Sequence, residues 1–338
     1  MDLNSTQKCY FLTSLELSHE GSIYASEIAF CAVNSVFSVI ATTWNILVIL
    51  VIWKTPLLHS PSNILICCLA CSDLVIGLLA QPMLVTYKIA ELQNSANTAC
   101  IGRLIHWIVG FVCAGVSVLT ICAISVDKVA ALHWHLRYGE KVTVVRVLRI
   151  ICAFWLFCIS TAVSLFLADT DRYWTLVPLP VLAVTLTTTF VAYIKVFKVL
   201  RRHQKQIQSQ TRSAWEGVNI RKYKKSVITM VYLLAMFLVC YTPFLMAMAV
   251  RLLVGYSSGV KMAYEWGATI VYLNSSLNPL VYWLRMQDIR LATYNAIRKI
   301  LGNESRFESK VLQFSNWNIF NDNNVSKSRF DISQAFRN

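Results

Sequence analysis

The chain alternates between long apolar stretches and short polar ones. Seven stretches carry no charge or almost none, and each is close to the ~20 residues that a helix needs to cross a bilayer. They cover residues 28–53, 62–87, 104–126, 150–168, 173–194, 226–250 and 266–284. The pattern predicts an all-α membrane protein in which residues 28–284 form one bundle of seven transmembrane helices.

The segments outside the predicted bundle are polar. Residues 1–27 lack the basic start and apolar core of a signal peptide, so we expect the first span to insert itself and the tail to have little order. Residues 285–301 place apolar and basic side chains on opposite faces, which predicts a short amphipathic eighth helix on the cytoplasmic membrane surface. Residues 302–338 are rich in Asn and Ser and predict a disordered cytoplasmic tail.

Composition and charge agree with a membrane protein. The chain is 56% hydrophobic and 14% charged, whereas a soluble protein carries about 25% charged residues. With the N-terminus outside, 25 of the 31 Lys and Arg residues fall in the cytoplasmic segments, as the positive-inside rule requires. The net charge of +14 therefore follows from topology, and no nucleic-acid partner is expected.

Polar residues within the spans point to a functional interior. Asp73 is the single formal charge in the seven stretches, and the last stretch contains the polar run Asn274, Ser275, Ser276 and Asn278. Such side chains are costly in lipid and must face protein or water. We expect Asp73 and this run to meet inside the bundle.

Cysteine usage predicts no disulfide framework. Nine of the eleven cysteines lie in the spans, where they pack as small apolar residues. Only Cys9 and Cys100 lie where an oxidising exterior would pair them. Asn4 begins an Asn-Ser-Thr glycosylation sequon in the outer tail.

Residues 28–301 resemble the rhodopsin-like (class A) G-protein-coupled receptors, and separate motifs in successive helices carry the resemblance. In chain order these are Asn45, Leu69-Ala70-Cys71-Ser72-Asp73, Asp127-Lys128-Val129, Trp155, Tyr193, Phe237 with Cys240 and Pro243, and Asn278-Pro279-Leu280-Val281-Tyr282. The resemblance implies a plasma-membrane receptor that binds an extracellular ligand and activates heterotrimeric G proteins, with arrestin as a further partner.

The resemblance also implies a sodium-linked activation switch. The residues of that switch are Asp73, Ser117, Asn274, Ser275, Asn278 and Asn45. A carboxylate at mid-membrane costs ~3 kcal/mol on insertion scales and needs a partner or a hydrated cavity, and a hard cation prefers such oxygen ligands. An alternative stays open, in which Asp73 is only hydrogen-bonded or protonated among structural polar neighbours. No other cofactor is expected.

Activation in the resembled family moves the inner half of helix six outward. Pro243 and Pro279 interrupt the backbone ladders of helices six and seven, and Phe237 and Tyr241 are the implied rotamer toggle. The positions implied in G-protein coupling are Asp127, Lys128, Leu136, Tyr193 and Tyr282.

Two departures from the family pattern affect the coupling end. Lys128 stands in place of the family's arginine, so the position lacks a planar guanidinium group that can form two parallel hydrogen bonds. Tyr223 stands where helix six often has the acid of an inactive-state ionic lock. Raised basal activity and weak coupling are rival expectations, and a receptor-like protein that no longer couples is an alternative function.

Other departures are similar to melanocortin receptors. The second outer loop, residues 169–172, is short and lacks a cysteine, and Thr185 stands in place of the usual proline. Residues 136–147 look like both melanocortin and adenosine receptors. Met83 stands where melanocortin receptors have the helix-two acid that binds basic peptides. Gly110 stands where amine receptors have their amine-binding aspartate, which disfavours the alternative of a biogenic-amine receptor.

The predicted ligand pocket is aromatic, and its best candidates are Trp107, Phe111, Phe244, Tyr264 and Tyr272. Each aromatic residue taken alone is better explained by helix packing or by the aromatic belt at the membrane interface. Outer charges such as Glu91 and Glu265 either steer a peptide or are simply solvated. A peptide, a nucleoside-like molecule and a lipid therefore remain open as ligands.

Two other classes of protein find no support. A transporter would show repeated halves and several mid-membrane charges, and an enzyme would show a metal motif, paired carboxylates or a nucleophile motif. The sequence contains none of these features.

Overall fold

The computed structural model describes residues 7–9, 12–15, 22–134, 137–164, 178–209, 214–255 and 257–300. Seven long helices follow one another in this part of the chain: α1 Ser22–Lys54, α2 Pro61–Leu92, α3 Ala96–Trp134, α4 Val144–Ser164, α5 Pro178–Ser209, α6 Ala214–Val254 and α7 Ser258–Arg285. A shorter helix, α8, covers Gln287–Ile300. The predicted seven-helix membrane bundle is confirmed.

Short elements complete the described structure. Single turns of helix lie at Pro56–Leu58 and Tyr138–Lys141. Strands β1 (Gln7–Cys9) and β2 (Leu12–Leu15) pair antiparallel, in a tail for which the sequence predicts little order. The contacts between residues divide the chain after Arg290, so the later part of α8 belongs to a second unit.

The surface of the bundle is suited to lipid. Large apolar side chains on three helices are mostly exposed, including Trp53 at 77%, Leu156 at 69% and Val239 at 70%. In water such surfaces would promote aggregation, whereas in a bilayer they are the ordinary lipid contact. By length and composition, five described helical segments can cross a membrane: Tyr24–Lys54, Pro61–Leu92, Ala96–Ala131, Val144–Ser164 and Val231–Arg251.

The helices begin and end where the sequence supplies the appropriate residues. Ser60 caps α2 by accepting a hydrogen bond from the Asn63 backbone N–H at 3.3 Å, with Pro61 in the first turn. Ser257 caps α7 in the same way through Val260, at 3.4 Å. Gly255, with a φ of 84°, follows the last residue of α6, a conformation that glycine adopts without strain.

Helix α2 contains an irregular turn that matters for the site. Residues Ile76–Ala80 form a π-helical turn, followed by Pro82. Pro82 has no N–H to donate and crowds the preceding turn, which favours such a bulge. Ser38 of α1 donates to the freed backbone at the Gly77 carbonyl, at 2.7 Å, and so ties α1 to α2.

Two predicted loop boundaries are wrong. The sequence places residues 88–103 in an outer loop, but α2 continues to Leu92 and α3 begins at Ala96. The sequence also starts an inner loop at residue 127, but α3 continues to Trp134. In both cases charged residues were taken as the end of a span, whereas they lie on the helix and are buried with partners.

Helices α6 and α7 approach each other closely at Gly267. A Cβ atom placed there would lie 2.9 Å from the Phe244 Cα and 3.1 Å from its backbone nitrogen. We expect Gly267→Ala to destabilise the bundle by about 1–3 kcal/mol, the usual cost of overpacking, and to lower the midpoint of thermal unfolding in lipid nanodiscs.

Gly259→Ala is the matched control on the same helix. A Cβ there meets no atom of the described residues within 4 Å, and alanine is the better helix former. Equal unfolding midpoints for the two variants would contradict the close approach.

Candidate functional site

Asp73 of α2 and Asn278 of α7 meet in the interior of the bundle. Both are buried, at 1% and 0% exposure. The Asn278 side-chain Nδ2 donates to the Asp73 Oδ2 at 2.8 Å, and the Ser275 side chain interacts with the same carboxylate. The polar residues of the second and seventh helices thus form one group, which we call the Asp73 cluster.

Helices α1 and α3 also reach the Asp73 cluster. Asn45 of α1 donates through Nδ2 to the Ser275 backbone carbonyl at 3.0 Å. The Ser117 hydroxyl of α3 lies 3.0 Å from the hydroxyl of Ser72, the residue before Asp73. Four helices therefore place polar side chains at this depth.

The Asp73 cluster has spare oxygen acceptors. Within the described residues, Asp73 Oδ1, Asn274 Oδ1 and Asn278 Oδ1 are buried and have no hydrogen-bond partner. Each buried atom of this kind costs ~1–3 kcal/mol if left unpaired. Carboxylate and amide oxygens are what a hard cation prefers, so the donor set fits a sodium ion.

A second polar group surrounds Asp127, near the C-terminal end of α3. Ser62 donates to the Asp127 Oδ2 at 2.5 Å, and the Tyr138 hydroxyl donates to Oδ1. Lys128 Nζ donates to the Ser62 hydroxyl at 2.8 Å and to Asp127 Oδ2 at 3.3 Å. The sequence singled out Asp127 and Lys128 but gave no sign of Ser62 or Tyr138.

Tyr138 acts in this group as a hydrogen-bond donor. Burial raises the pKa of the Tyr138 phenol, and the adjacent Asp127 carboxylate raises it further. The hydroxyl therefore keeps its proton throughout the physiological pH range and fixes one oxygen of Asp127.

Two aromatic residues of α6, Phe237 and Tyr241, form a buried pair. The rings of Phe237 and Tyr241 stack with centroids 3.9 Å apart, and both side chains are buried. Pro243 follows within the same helix, as Pro279 does in α7. The Tyr282 side chain is fully buried, whereas Tyr193 is partly exposed.

A cavity of about 180 Å³ opens beside this pair, between α3, α4, α5, α6 and α7. Tyr241 forms part of its wall. All five residues that the sequence proposes for ligand binding also line it, namely Trp107, Phe111, Phe244, Tyr264 and Tyr272. Trp107 stacks on Phe111 at 5.7 Å, and Phe244 lies 4.9 Å from Tyr264 between ring centroids.

The Tyr272 hydroxyl lies against Gly110 in the cavity wall, so close that a Cβ atom at Gly110 would overlap it. The same hydroxyl is 3.1 Å from the His106 Nδ1. A side chain larger than glycine cannot fit at residue 110 without moving Tyr272.

Charged side chains that the sequence did not connect form a third group. Lys88 is fully buried, and its Nζ lies 3.0 Å from Glu91 Oε2 and 3.4 Å from Glu27 Oε1. It also forms an ion pair with Glu265, and Lys261 Nζ lies 3.8 Å from Glu91 Oε2. This group of three acids and two lysines, from α1, α2 and α7, is the Lys88 cluster.

The Lys88 cluster corrects one expectation. Glu91 is 1% exposed, and the Glu265 side chain is 12% exposed, so neither is a solvated rim charge. The Tyr87 hydroxyl donates to Glu265 at 3.2 Å, and its ring stacks on His106 of the cavity wall at 5.9 Å. In the sequence, the spacing of Lys88 and Glu91 by three residues was the signal that could have predicted their ion pair on one helix.

Cys9 and Cys100 are joined by a disulfide in the structure, with their Cα atoms 5.6 Å apart. The bond ties β1 to the first turn of α3. Cys9 is buried and packs with Ala90 and Ala99. The N-terminal strand pair is thereby fixed beside the Lys88 end of α2.

Some predicted residues lie outside the described part of the chain. Asn4 and Leu136 are among them, and the side chain of Tyr223 is not described either. Their predicted roles stay predictions.

Comparison with known families identifies the class of protein. The model of the 7 transmembrane receptor (rhodopsin family) matches residues 44–175 and 168–282. The chain belongs to this family. It is a multi-pass plasma-membrane receptor and not an enzyme, and the family implies signalling through a heterotrimeric G protein in response to an extracellular ligand.

Within the family the chain is similar to melanocortin receptors. It is 28% identical to melanocortin receptor 5 of Mus musculus over 252 residues, which is 73% of this chain and 77% of that protein. It is 27% identical to melanocortin receptor 5 of Homo sapiens over 261 residues, 75% and 79% of the two chains. Melanocortin receptor 4 of Danio rerio is 28% identical over 255 residues, 73% and 77%.

The Lys88 cluster gives a test of stability. Lys88→Met leaves three carboxylates without their shared cation, and breaking a buried ion pair on one side costs about 3–5 kcal/mol. We expect the unfolding midpoint in nanodiscs to fall by on the order of 10 °C. Adding Glu265→Gln to this variant removes one of the unbalanced negative charges and should restore part of the lost unfolding midpoint.

Lys54→Met is the control, because Lys54 is an exposed lysine at the end of α1. If Lys88→Met unfolds at the same temperature as Lys54→Met, the Lys88 cluster does not stabilise the bundle.

Proposed function

We propose that this receptor binds its ligand in the aromatic cavity and passes the signal to a G protein by an outward movement of the inner half of α6. The observation that carries the proposal is the position of Tyr241. Its ring lines the cavity on one side and stacks on Phe237 on the other. A ligand that displaces Tyr241 therefore acts directly on the α6 core.

The mechanism follows from the parts of α6. Pro243 follows Tyr241 by two residues and removes a backbone hydrogen bond, which makes this turn the natural hinge. The helix extends from this hinge down to Ala214, so a small rotation at Tyr241 becomes a large displacement at the far end. Hinged movements of this kind are a common way to expose a partner site.

Sodium is proposed as the ion of the Asp73 cluster. The unpaired oxygens of Asp73, Asn274 and Asn278 support it, and Asn45, Ser117 and Ser275 bring their polar atoms to the same depth. The bound cation would link α2 to α7 and favour the closed arrangement, because opening separates its ligands.

The orientation of the chain is also a proposal. The excess of Lys and Arg at the Asp127 end supports a cytoplasmic position for that end. The N-terminus, with Asn4 as a glycosylation site and the Cys9–Cys100 disulfide, is then extracellular, where disulfides persist. α8 would lie on the inner leaflet, and the Asp127 end would receive the G protein and arrestin.

A receptor that couples weakly or not at all is the second candidate. Lys128 supports it, because its Nζ is engaged by Ser62 and Asp127 and offers no planar fork to a partner. On this view Lys128→Arg would raise an exchange activity that is otherwise close to zero.

A contact between α6 and α7 supports a closed resting state. The Arg285 guanidinium lies over the Tyr232 ring, 4.9 Å from its centroid. Cation–π contacts contribute about 0.5–2 kcal/mol. This contact holds the inner half of α6 to the end of α7, although α6 lacks the acid that an ionic lock uses. Of the two expectations from the sequence, we therefore favour low basal activity over raised basal activity.

Nucleotide exchange on purified heterotrimeric G proteins tests the function. In nanodiscs, Tyr232→Leu removes ~1 kcal/mol from the closed state and should raise ligand-free exchange about fivefold. Tyr232→Phe keeps the ring and should stay near the native rate. Equal increases would contradict the closing contact, and exchange no faster than in empty nanodiscs for every variant would favour the receptor that does not couple.

Sodium dependence tests the Asp73 cluster. At a sodium concentration ten times its dissociation constant the closed state gains about 1.4 kcal/mol, so thermal unfolding should shift upward relative to equal choline chloride. Asp73→Asn should abolish the shift. Glu140→Gln, at an exposed acid between α3 and α4, should keep it, and a sodium response that survives in Asp73→Asn would rule the site out.

A further inference from the structure

The size of the aromatic cavity limits the ligand that it can enclose. At about 180 Å³ it is slightly larger than a 150 Å³ apolar cavity that accepts benzene. Sites that bury drug-sized ligands are typically about 300–1,000 Å³. A ligand held wholly within this volume therefore has one or two fused rings, whereas a nucleoside or a folded peptide would extend beyond it.

The walls of the cavity are almost entirely apolar. None of the described residues that line it is Asp, Glu, Lys or Arg. Its polar end is formed by the Tyr272 hydroxyl and the His106 imidazole, which lie 3.1 Å apart. A buried charge on the ligand would have no counter-charge in these walls and would be costly to bind, whereas one hydroxyl or carbonyl finds a partner.

The acids of the Lys88 cluster, beside the cavity, are already paired with lysines. Glu27, Glu91 and Glu265 share Lys88, and Glu91 also has Lys261 nearby. A ligand cation that recruited one of these acids would have to break a buried ion pair, at the cost already given for that cluster. The Lys88 cluster thus works against a positively charged ligand although it lies beside the cavity.

We propose that the ligand is a small, uncharged, mostly apolar molecule of one or two rings with a single hydroxyl or carbonyl group directed at Tyr272 and His106. This inference rests on the proposed function, since it names the ligand class of the same cavity.

Thermal unfolding in nanodiscs with two matched probes tests the proposal. The first probe, 2-naphthol, has two fused rings and one hydroxyl; the second, 2-naphthylmethylammonium, has the same rings and a positive charge. We expect 2-naphthol to raise the unfolding midpoint, and the ammonium probe to bind on the order of 100-fold more weakly because its charge is unpaired. Tyr272→Phe should weaken 2-naphthol about tenfold.

Substitutions that fill the cavity provide the control for location. Ala114 lines the cavity, so Ala114→Phe, and the smaller Ala114→Leu if the first variant folds poorly, should abolish the 2-naphthol shift. Ala183→Phe, at an exposed position of α5, makes the same change outside the cavity and should keep the shift.

The outcomes separate this inference from the proposed function. No shift with 2-naphthol, an equal shift with the ammonium probe, or a shift that survives in the folded Ala114 variants would overturn the ligand class. A cavity-dependent shift without any change in nucleotide exchange would support the ligand class and count against the proposed signalling mechanism. Exchange stimulated only by peptides would overturn the ligand class and leave the signalling proposal intact.

Discussion

A carboxylate inside a bilayer has to be matched by polar groups, because lipid offers it none. Asp73 imposes this condition on the whole bundle. Its contact with Asn278 fixes how α2 and α7 face each other, and Asn45 and Ser117 bring α1 and α3 to the same depth. One buried acid thus organises polar contacts among four helices.

Two of the buried charged groups in the described residues solve the same problem differently. The Lys88 cluster balances acids with lysines and is close to self-sufficient, so it suits a fixed structural joint between three helices. The Asp73 cluster has one acid and spare oxygen acceptors. Such a group leaves room for a partner that binds and leaves, which is what the proposed sodium switch requires.

Much of this fold follows from the sequence, and the exceptions have physical reasons. Apolar stretches of spanning length fix the number of helices, and the polar run in α7 indicates its interior face. The ends of the spans were misjudged because charge was taken as a sign of water. Lys88 and Glu91 carry charge inside α2, where Glu27, Glu265 and Lys261 of other helices help to neutralise it. Such partners are contacts across the fold and cannot be predicted from spacing alone, and the same is true of the Tyr232–Arg285 contact.

The π-helical turn of α2 has a consequence for the rest of that helix. Since a helix advances by about 100° per residue, the one extra residue in Ile76–Ala80 rotates all later positions by that angle. Asp73 lies before the turn and Lys88 lies after it. The bulge therefore lets α2 present Asp73 to Asn278 on one face of its first half and Lys88 to Glu27 and Glu265 on a different face of its second half.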